Sequence, residues 1–445
     1  MRKKDHILDI FLGTGTVLSV IVIIALLFNP DIVNAYLFAN PLDSFMDYFN
    51  SINIKSFQTS YSGSAIYPPL CNAIFYLLRV YSGNIDMAET SEFGAGVLRN
   101  YTAPMMVFTI SSLASVLVII HLLTRYLNQK DLKNQWTVAL IVFSVPVLFL
   151  IQRGNIMILS LIGVMVFFLL KDSSDSKLRN AGYFCLAIAS SIKLYPAIFG
   201  LILIKDKEYK EALKLSLWGV GVFIITFILF CTEGLGGIPL FFGNITGFNS
   251  SFFYNTVQKT TIDAIANISG NTAYQDKPVF DSYVIDGCRI GYAAFLEHLF
   301  MWFGNSLSSS AVLASKMAIV ISVVGTVASF FSKRRWQTVA LLAAVLVGAQ
   351  NRSYVYTAVF MIIPLVMFLN DEDKGNLKYL YLVLQILIFF PLPFGWDEHI
   401  HEPMYYVNHR SFNSLQIGGA ILLMTLVMVF EVIVIWIKEK RKRQK

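Results

Sequence analysis

The stretch Ala187–Lys205, AIASSIKLYPAIFGLILIK, places a lysine, a tyrosine and a proline inside an apolar run that extends from Ala181 to Ile204. A lysine at the centre of a bilayer-spanning helix costs about 2.5 to 3.5 kcal/mol on insertion scales, so Lys193 needs a compensating environment. The charges on either side indicate which membrane face it meets. Both flanks are basic, KDSSDSKLR at 171–179 and KDKEYKEALK at 205–214. Cytoplasmic loops are enriched in Lys and Arg, so both flanks read as cytoplasmic. A single straight span would put the second flank outside and invert every later loop, including SKRR at 332–335 and the terminal KEKRKRQK at 438–445. Two short helices broken at Lys193–Pro196 restore agreement. Each limb would have about 12 residues, roughly 18 Å, less than the hydrocarbon thickness. Lys193 then tips a helical hairpin that rises from the cytoplasm to an outward-facing cavity at membrane depth, where irregular backbone is tolerated. The alternative is one kinked helix with a snorkelling lysine.

The composition agrees with a membrane chain. Of 445 residues 56% are hydrophobic and 14% charged, and the mean hydropathy is +0.61, too apolar for a soluble surface. Counting both limbs of the hairpin, the apolar runs predict an all-α polytopic protein of about twelve transmembrane helices with both termini cytoplasmic. With no internal repeat or long linker, residues 1–445 read as one integral domain. The first apolar run, Ile7–Phe28, is too long for a signal-peptide core and lacks a small-residue cleavage pattern, so it is expected to stay as an anchor. The net charge of +7 comes from basic residues spread over helix ends, which suits membrane topology and not nucleic acid. Cys185 and Cys231 fall in apolar runs; Cys71 and Cys288 fall outside, where a disulfide between them is one option.

Polar chain is concentrated in two long outward segments, 29–103 and 233–307, each carrying a stretch that reads as a juxtamembrane helix. In the first, PLDSFMDYFNSI at 41–52 sets Leu42, Phe45, Met46, Phe49 and Ile52 on one helical face. Asp43, Asp47 and Asn50 occupy the other, either as a solvated face or as a pair of carboxylates whose repulsion tunes a base. YPPLCNAIFYLLRVY at 67–81 starts a second short helix at its prolines, and GYAAFLEHLFMWFGN at 291–305 is similar in length and character. The first of these is expected along the outer surface or dipping inward, and the two are expected to flank a groove for a lipid. Three cations approach that face from different spans: Arg153, Lys193 and Arg352. Singly each suits an interfacial anchor; together they suit a phosphate, with Asn155 and Tyr195 adding neutral hydrogen bonds. Tyr67, Tyr354 and Tyr356 offer faces for a sugar ring, although aromatic belts place tyrosines there too. The cytoplasmic loops are too short for a nucleotide-binding domain. Asp371–Asp373, DED, reads as a solvated charge run against the option of a metal-binding DxD, and Glu398, His399 and His401 read as a polar loop, so no metal site and no cofactor are expected.

In order, MDYFNSI at 46–52, YPPL at 67–70, RGN at 153–155 and KLYP at 193–196 resemble the family-87 glycosyltransferases of the membrane-embedded GT-C fold. The resemblance covers roughly residues 1–232 as a shared module; the outer segment 233–307 and the helices of 308–445 follow it, and only QNRSYVYTAVFMIIPL at 350–365 echoes a family segment there. It implies transfer of one sugar, with inversion, from a polyprenyl-phosphate donor to an extracytoplasmic acceptor, which is a glycan, a glycolipid or a protein. It also implies a bacterial plasma-membrane location. The base of the family's first outer loop falls on Asp47, with Asp43 as fallback; Lys193, Arg153, Asn155, Tyr195, Arg352, Tyr67, Tyr356 and Asn50 are the expected donor contacts. Where relatives often carry a histidine after the ninth span, this chain has Arg352, Ser353, Tyr354 and Tyr356. Two other readings of a polytopic chain compete: a flippase or transporter for a lipid-linked glycan, and an outer-face glycan polymerase using a lipid-diphosphate donor.

Overall fold

A computed structural model of the chain describes residues 6–28, 44–54, 56–63, 65–83, 94–127, 131–254, 289–303, 307–350, 353–392 and 412–444. Among them the secondary structure is helical, with two isolated β-bridges, Thr59 to Cys231 and Arg289 to Tyr354. The first half contains α1 (Ile7–Phe28), α2 (Met46–Ile52), α3 (Pro69–Tyr81), α4 (Thr102–Tyr126), α5 (Leu132–Val142), α6 (Val145–Arg153), α7 (Met157–Leu170), α8 (Ser176–Ile192), α9 (Leu201–Lys205) and α10 (Tyr209–Phe230). The second contains α11 (Gly237–Tyr254), α12 (Tyr292–Trp302), α13 (Leu307–Phe331), α14 (Arg335–Gly348), α15 (Ile362–Asn370), α16 (Lys378–Phe389) and α17 (Phe412–Arg443). α1, α4, α10, α13 and α17 are long and apolar enough to cross a membrane, and α5 with α6 makes a sixth such span, bent by 45°. Their outer faces carry exposed Val, Ile and Leu, as expected of helices that meet lipid. The chain is an all-α membrane protein. Five or six full-length spans among the described residues are fewer than the twelve expected, because α7, α14, α15, α16 and Tyr195–Lys205 are apolar but short.

α8 stops where the sequence breaks it. Pro196 offers no N–H to the Ile192 carbonyl, and its ring would clash there. Ile192 ends the helix, Lys193 is extended at φ −141° and ψ 126°, and Tyr195–Gly200 continues as a 3-10 turn into α9. The direction of the chain after the break is decided by its ends. Lys171, before α8, lies 3.5 Å from Asp206, after α9, and the Arg335 guanidinium reaches Asp172 at 2.5 Å and Asp206 at 4.0 Å. Lys205 bonds Thr338 on the same patch. Both feet of the segment therefore stand together, and Lys193 is the tip of a hairpin rather than the middle of a span. The first limb, at 17 residues, is longer than the dozen expected.

α8 lies close along α7, since a Cβ on Gly163 would stand 2.8 Å from the Cys185 carbonyl oxygen and 2.9 Å from the Ala189 Cβ. Ser160 donates to the Ala189 carbonyl at 3.0 Å. The two helices run antiparallel, so the start of α7 and the tip at Lys193 share one end of the molecule.

The opposite end holds the paired charges. Asp373 pairs with Arg334 at 3.0 Å, Asp371 accepts the Asp373 N–H and Asp373 the Gly375 N–H. DED is thus a turn tied to an arginine. Glu431 takes bonds from Arg334, Gln337 and Tyr381 at 2.9, 3.0 and 2.6 Å.

α12 departs from the outer-surface position that its amphipathic character suggests. α12 is buried between α13 and α17, with Tyr292 fully inside, and a Cβ on Gly348 would meet its ring at 2.2 Å. Its polar stripe is internal: the buried Glu297 lies 3.6 Å from Arg289. A carboxylate that reads as the wet face of an amphipathic helix is here paired inside the protein.

Candidate functional site

The RGN triplet builds the centre of the site. Arg153 is the last residue of α6, Gly154 turns the chain in the left-handed region at φ 65°, and Asn155 caps α7, its Oδ1 accepting the Met157 N–H at 3.0 Å. That geometry points the Arg153 guanidinium and the Asn155 amide the same way, and both meet Asp47. Arg153 Nη2 lies 2.6 Å from Asp47 Oδ1, and Asn155 Nδ2 donates to Oδ2 at 2.7 Å. The carboxylate and guanidinium side chains are 15% and 20% exposed, so the pair is withdrawn from solvent yet reachable.

Asp47 is delivered by a strained entry to α2. Phe45 adopts φ 64°, costly for a residue with a Cβ, because its N–H is donated to the Gln152 carbonyl at 2.6 Å and its ring packs on Phe108 at 4.7 Å. The helix consequently begins at Met46 rather than following the proline at 41, and Tyr48, Phe49 and Ile52 form its buried face. α2 sits directly on the RGN turn: a Cβ on Gly154 would come within 2.8 Å of the Tyr48 Cβ. Gly154→Ala is therefore expected to push α2 and its carboxylate away, lowering activity at this site about a hundredfold, since displacement near 1 Å can cost that much. Steady-state kinetics alongside a thermal melt of the purified variant check this.

Lys193 arrives from the hairpin tip. Its ammonium lies 4.0 Å from the centroid of the Tyr67 ring and within range of the Asp47 charge; among the described residues it has no carboxylate at ion-pair distance. Ile192 and Ile156, the neighbours of Lys193 and Asn155, share one apolar cluster with Phe49, Cys71, Phe75 and Phe108, which locks α2, α3, α7 and α8 together. Burial, with the nearby Asp47 charge, holds the Tyr67 phenol well above its usual range, so it remains a neutral donor. Among the described residues the buried Tyr195 hydroxyl has no hydrogen-bond partner, and Tyr356 stacks on Phe149 at 6.1 Å while sensing the charge of Asp47.

Of the residues expected from sequence, Asp47, Arg153, Asn155, Lys193, Tyr67, Tyr195 and Tyr356 are brought together. Asn50, one turn along α2, is exposed and takes no part in the hydrogen bonds of the cluster. Asp43, Arg352, Cys288 and residues 398–401 lie outside the described residues. Cys71 is a free, buried thiol on the α3 wall, one the sequence suggested only as a disulfide partner. Burial pushes it up to about 12, against the pull of Lys193. Among the described residues no group of three or more His, Cys, Asp or Glu side chains stands together.

Residues 65–274 match the model of Glycosyltransferase family 87, just under half of the chain, and this resemblance indicates a glycosyltransferase. The match includes Tyr67, Arg153, Asn155, Lys193 and Tyr195 and continues past residue 232, where the motifs thin; Asp47 and Tyr356 fall outside it. No curated protein and no solved structure matches the chain.

Proposed function

We propose that the protein is an inverting glycosyltransferase that moves one sugar from a polyprenyl-phosphate carrier to a hydroxyl acceptor at the extracytoplasmic face. The observation that carries this reading is the meeting of a hydrogen-bonded carboxylate, Asp47, with the ammonium of the hairpin tip, Lys193, in one aromatic-walled site. Asp47 takes the proton of the acceptor hydroxyl as that oxygen bonds to the anomeric carbon. The bond from that carbon to the phosphate oxygen breaks on the opposite side, and its electron pair leaves with the polyprenyl phosphate. Lys193 and Arg153 stabilise the charge that grows there, and the Tyr195 hydroxyl has a free proton to donate to it. Tyr67 and Tyr356 supply flat faces for the sugar.

A lipid-borne donor suits this site better than a nucleotide sugar. The basic ends at Lys171, Lys205 and Arg335 stand at the end of the molecule away from Asp47, and the described connections there are only a few residues long. The bias of basic residues supports reading that end as the cytoplasmic one and the site as facing the other side of a bacterial plasma membrane. The acceptor is a glycan, a glycolipid or a protein. Proteoliposomes supplied with radiolabelled polyprenyl-phosphate sugars and a membrane-extract acceptor test this reading. Label should move from the lipid donor with inverted anomeric configuration; transfer from nucleotide sugars in the absence of any lipid carrier would overturn it.

A further inference from the structure

The second outer segment holds the first in place through one carboxylate. Glu233 Oε1 accepts from the Ser60 hydroxyl at 2.5 Å, the Tyr61 N–H at 3.1 Å and the Ser62 N–H at 3.2 Å, while Oε2 takes the Cys231 thiol at 3.2 Å. Burial alone would raise this carboxyl, but the Ser60, Tyr61 and Cys231 bonds outweigh it and hold it at about 2. It is ionised throughout the physiological range. Backbone bonds from Thr59 to Phe230 and from Thr232 to Thr59 flank the clasp. Asn244, in α11, donates its amide to the Tyr61 and Ala65 carbonyls, both at 3.0 Å, which commits the nitrogen of a sequon.

The tie continues to the site. Tyr61 is fully buried against Phe227 and Phe241, and its hydroxyl donates to the Tyr67 carbonyl at 2.6 Å, where Asn72 donates as well at 3.2 Å. Tyr67 in turn carries the Lys193 ammonium on its ring. Glu233, Tyr61, Tyr67 and Lys193 thus form one continuous chain of contacts, running from the start of the second outer segment to the hairpin tip.

We infer that Glu233 and Tyr61 are positioning residues for the donor-phosphate contact. Glu233 fixes the 60–62 turn, Tyr61 fixes the Tyr67 backbone, and the Tyr67 ring fixes the ammonium. The role in donor binding rests on the glycosyltransferase reading, whereas the mechanical coupling does not.

The test uses the full chain in membranes with Glu233→Ala, Tyr61→Phe and Glu233→Gln. The first removes the clasp and the second removes one hydroxyl while keeping the packed ring. The third keeps the oxygen that takes three of the five bonds, the other two being those of the Tyr61 N–H and the Cys231 thiol to Oε2. Modification of Cys71 by N-ethylmaleimide, quantified by peptide mass spectrometry, reports whether the Tyr67 segment is seated over the site. With one net hydrogen bond worth about tenfold in local opening, Cys71 modification should rise at least that much in Glu233→Ala and Tyr61→Phe and stay near the parent rate in Glu233→Gln. The KM for the lipid donor should rise in the same order with kcat little changed. Unaltered Cys71 modification in both Glu233→Ala and Tyr61→Phe overturns the coupling. Raised modification with an unmoved KM overturns the positioning role. If the parent protein itself transfers no sugar from a polyprenyl phosphate, the proposed function fails while the Cys71 result still decides the coupling.

Discussion

Replacing Asp47 by Asn is expected to lower kcat for sugar transfer by about 10² to 10⁴, the range for losing a positioned general base, with a much smaller change in the KM for the donor. The split follows from timing. The carboxylate acts on the acceptor proton as the new bond forms, so its absence is felt in the transition state and not in donor binding. Asparagine is near-isosteric, but it replaces one acceptor oxygen by a donating amide opposite either Arg153 or Asn155, both of which donate to Asp47. Some stability should therefore be lost as well, because the partly buried guanidinium loses its counter-charge. Arg153→Lys bears on that cost: it keeps a cation beside an intact carboxylate while disturbing the pair, so a similar stability loss in both variants with a much larger fall of kcat in Asp47→Asn assigns the proton transfer to the carboxylate. A folded, inserted Asp47→Asn protein that transfers sugar at the parent rate removes Asp47 from the mechanism.

The parts of this architecture that could be read from the chain are those whose physics is local. Lys193 and Pro196 interrupt one apolar run, and the basic flanks at 171–179 and 205–214 reveal that the run returns to its starting side. RGN encodes its own turn and cap, and Asp47 stands out as a carboxylate beside aromatics. What escaped depends on partners far away in sequence. The left-handed Phe45 follows from a bond to Gln152, over a hundred residues on, and the Glu233 clasp joins side chains more than 170 positions apart. Neither leaves a periodic trace. α12 departs from an outer-surface reading for the opposite reason: its amphipathic character is a local signal of a wet face, but Arg289 supplies the counter-charge of Glu297 indoors. The count of twelve spans is not confirmed among the described residues where helices shorten or tighten to 3-10 geometry, as at Val355–Met361, because hydropathy marks apolar length and not its continuity.

The expected consequences of Lys193→Met have opposite signs, which makes the variant decisive. Removing the ammonium relieves the desolvation of a buried charge that has no carboxylate at ion-pair distance among the described residues, so the inserted protein should be at least as abundant and as heat-stable as the parent. The counter-effect on folding is small, since the contact given up in the empty site is the face of the Tyr67 ring, worth about 0.5 to 2 kcal/mol, which a methionine thioether partly replaces. Catalysis should move the other way. A cation aimed at developing phosphate charge in a water-poor site is worth about 10² to 10³ in rate, and the tip of the hairpin offers no other ammonium on the described residues to take its place. A purely structural lysine, kept for packing or snorkelling, would lose stability and activity together on substitution. An anion-binding lysine is instead a stability liability retained for the charge it meets, so a loss of transfer accompanied by unchanged or raised melting temperature identifies that use, and parallel losses of both exclude it.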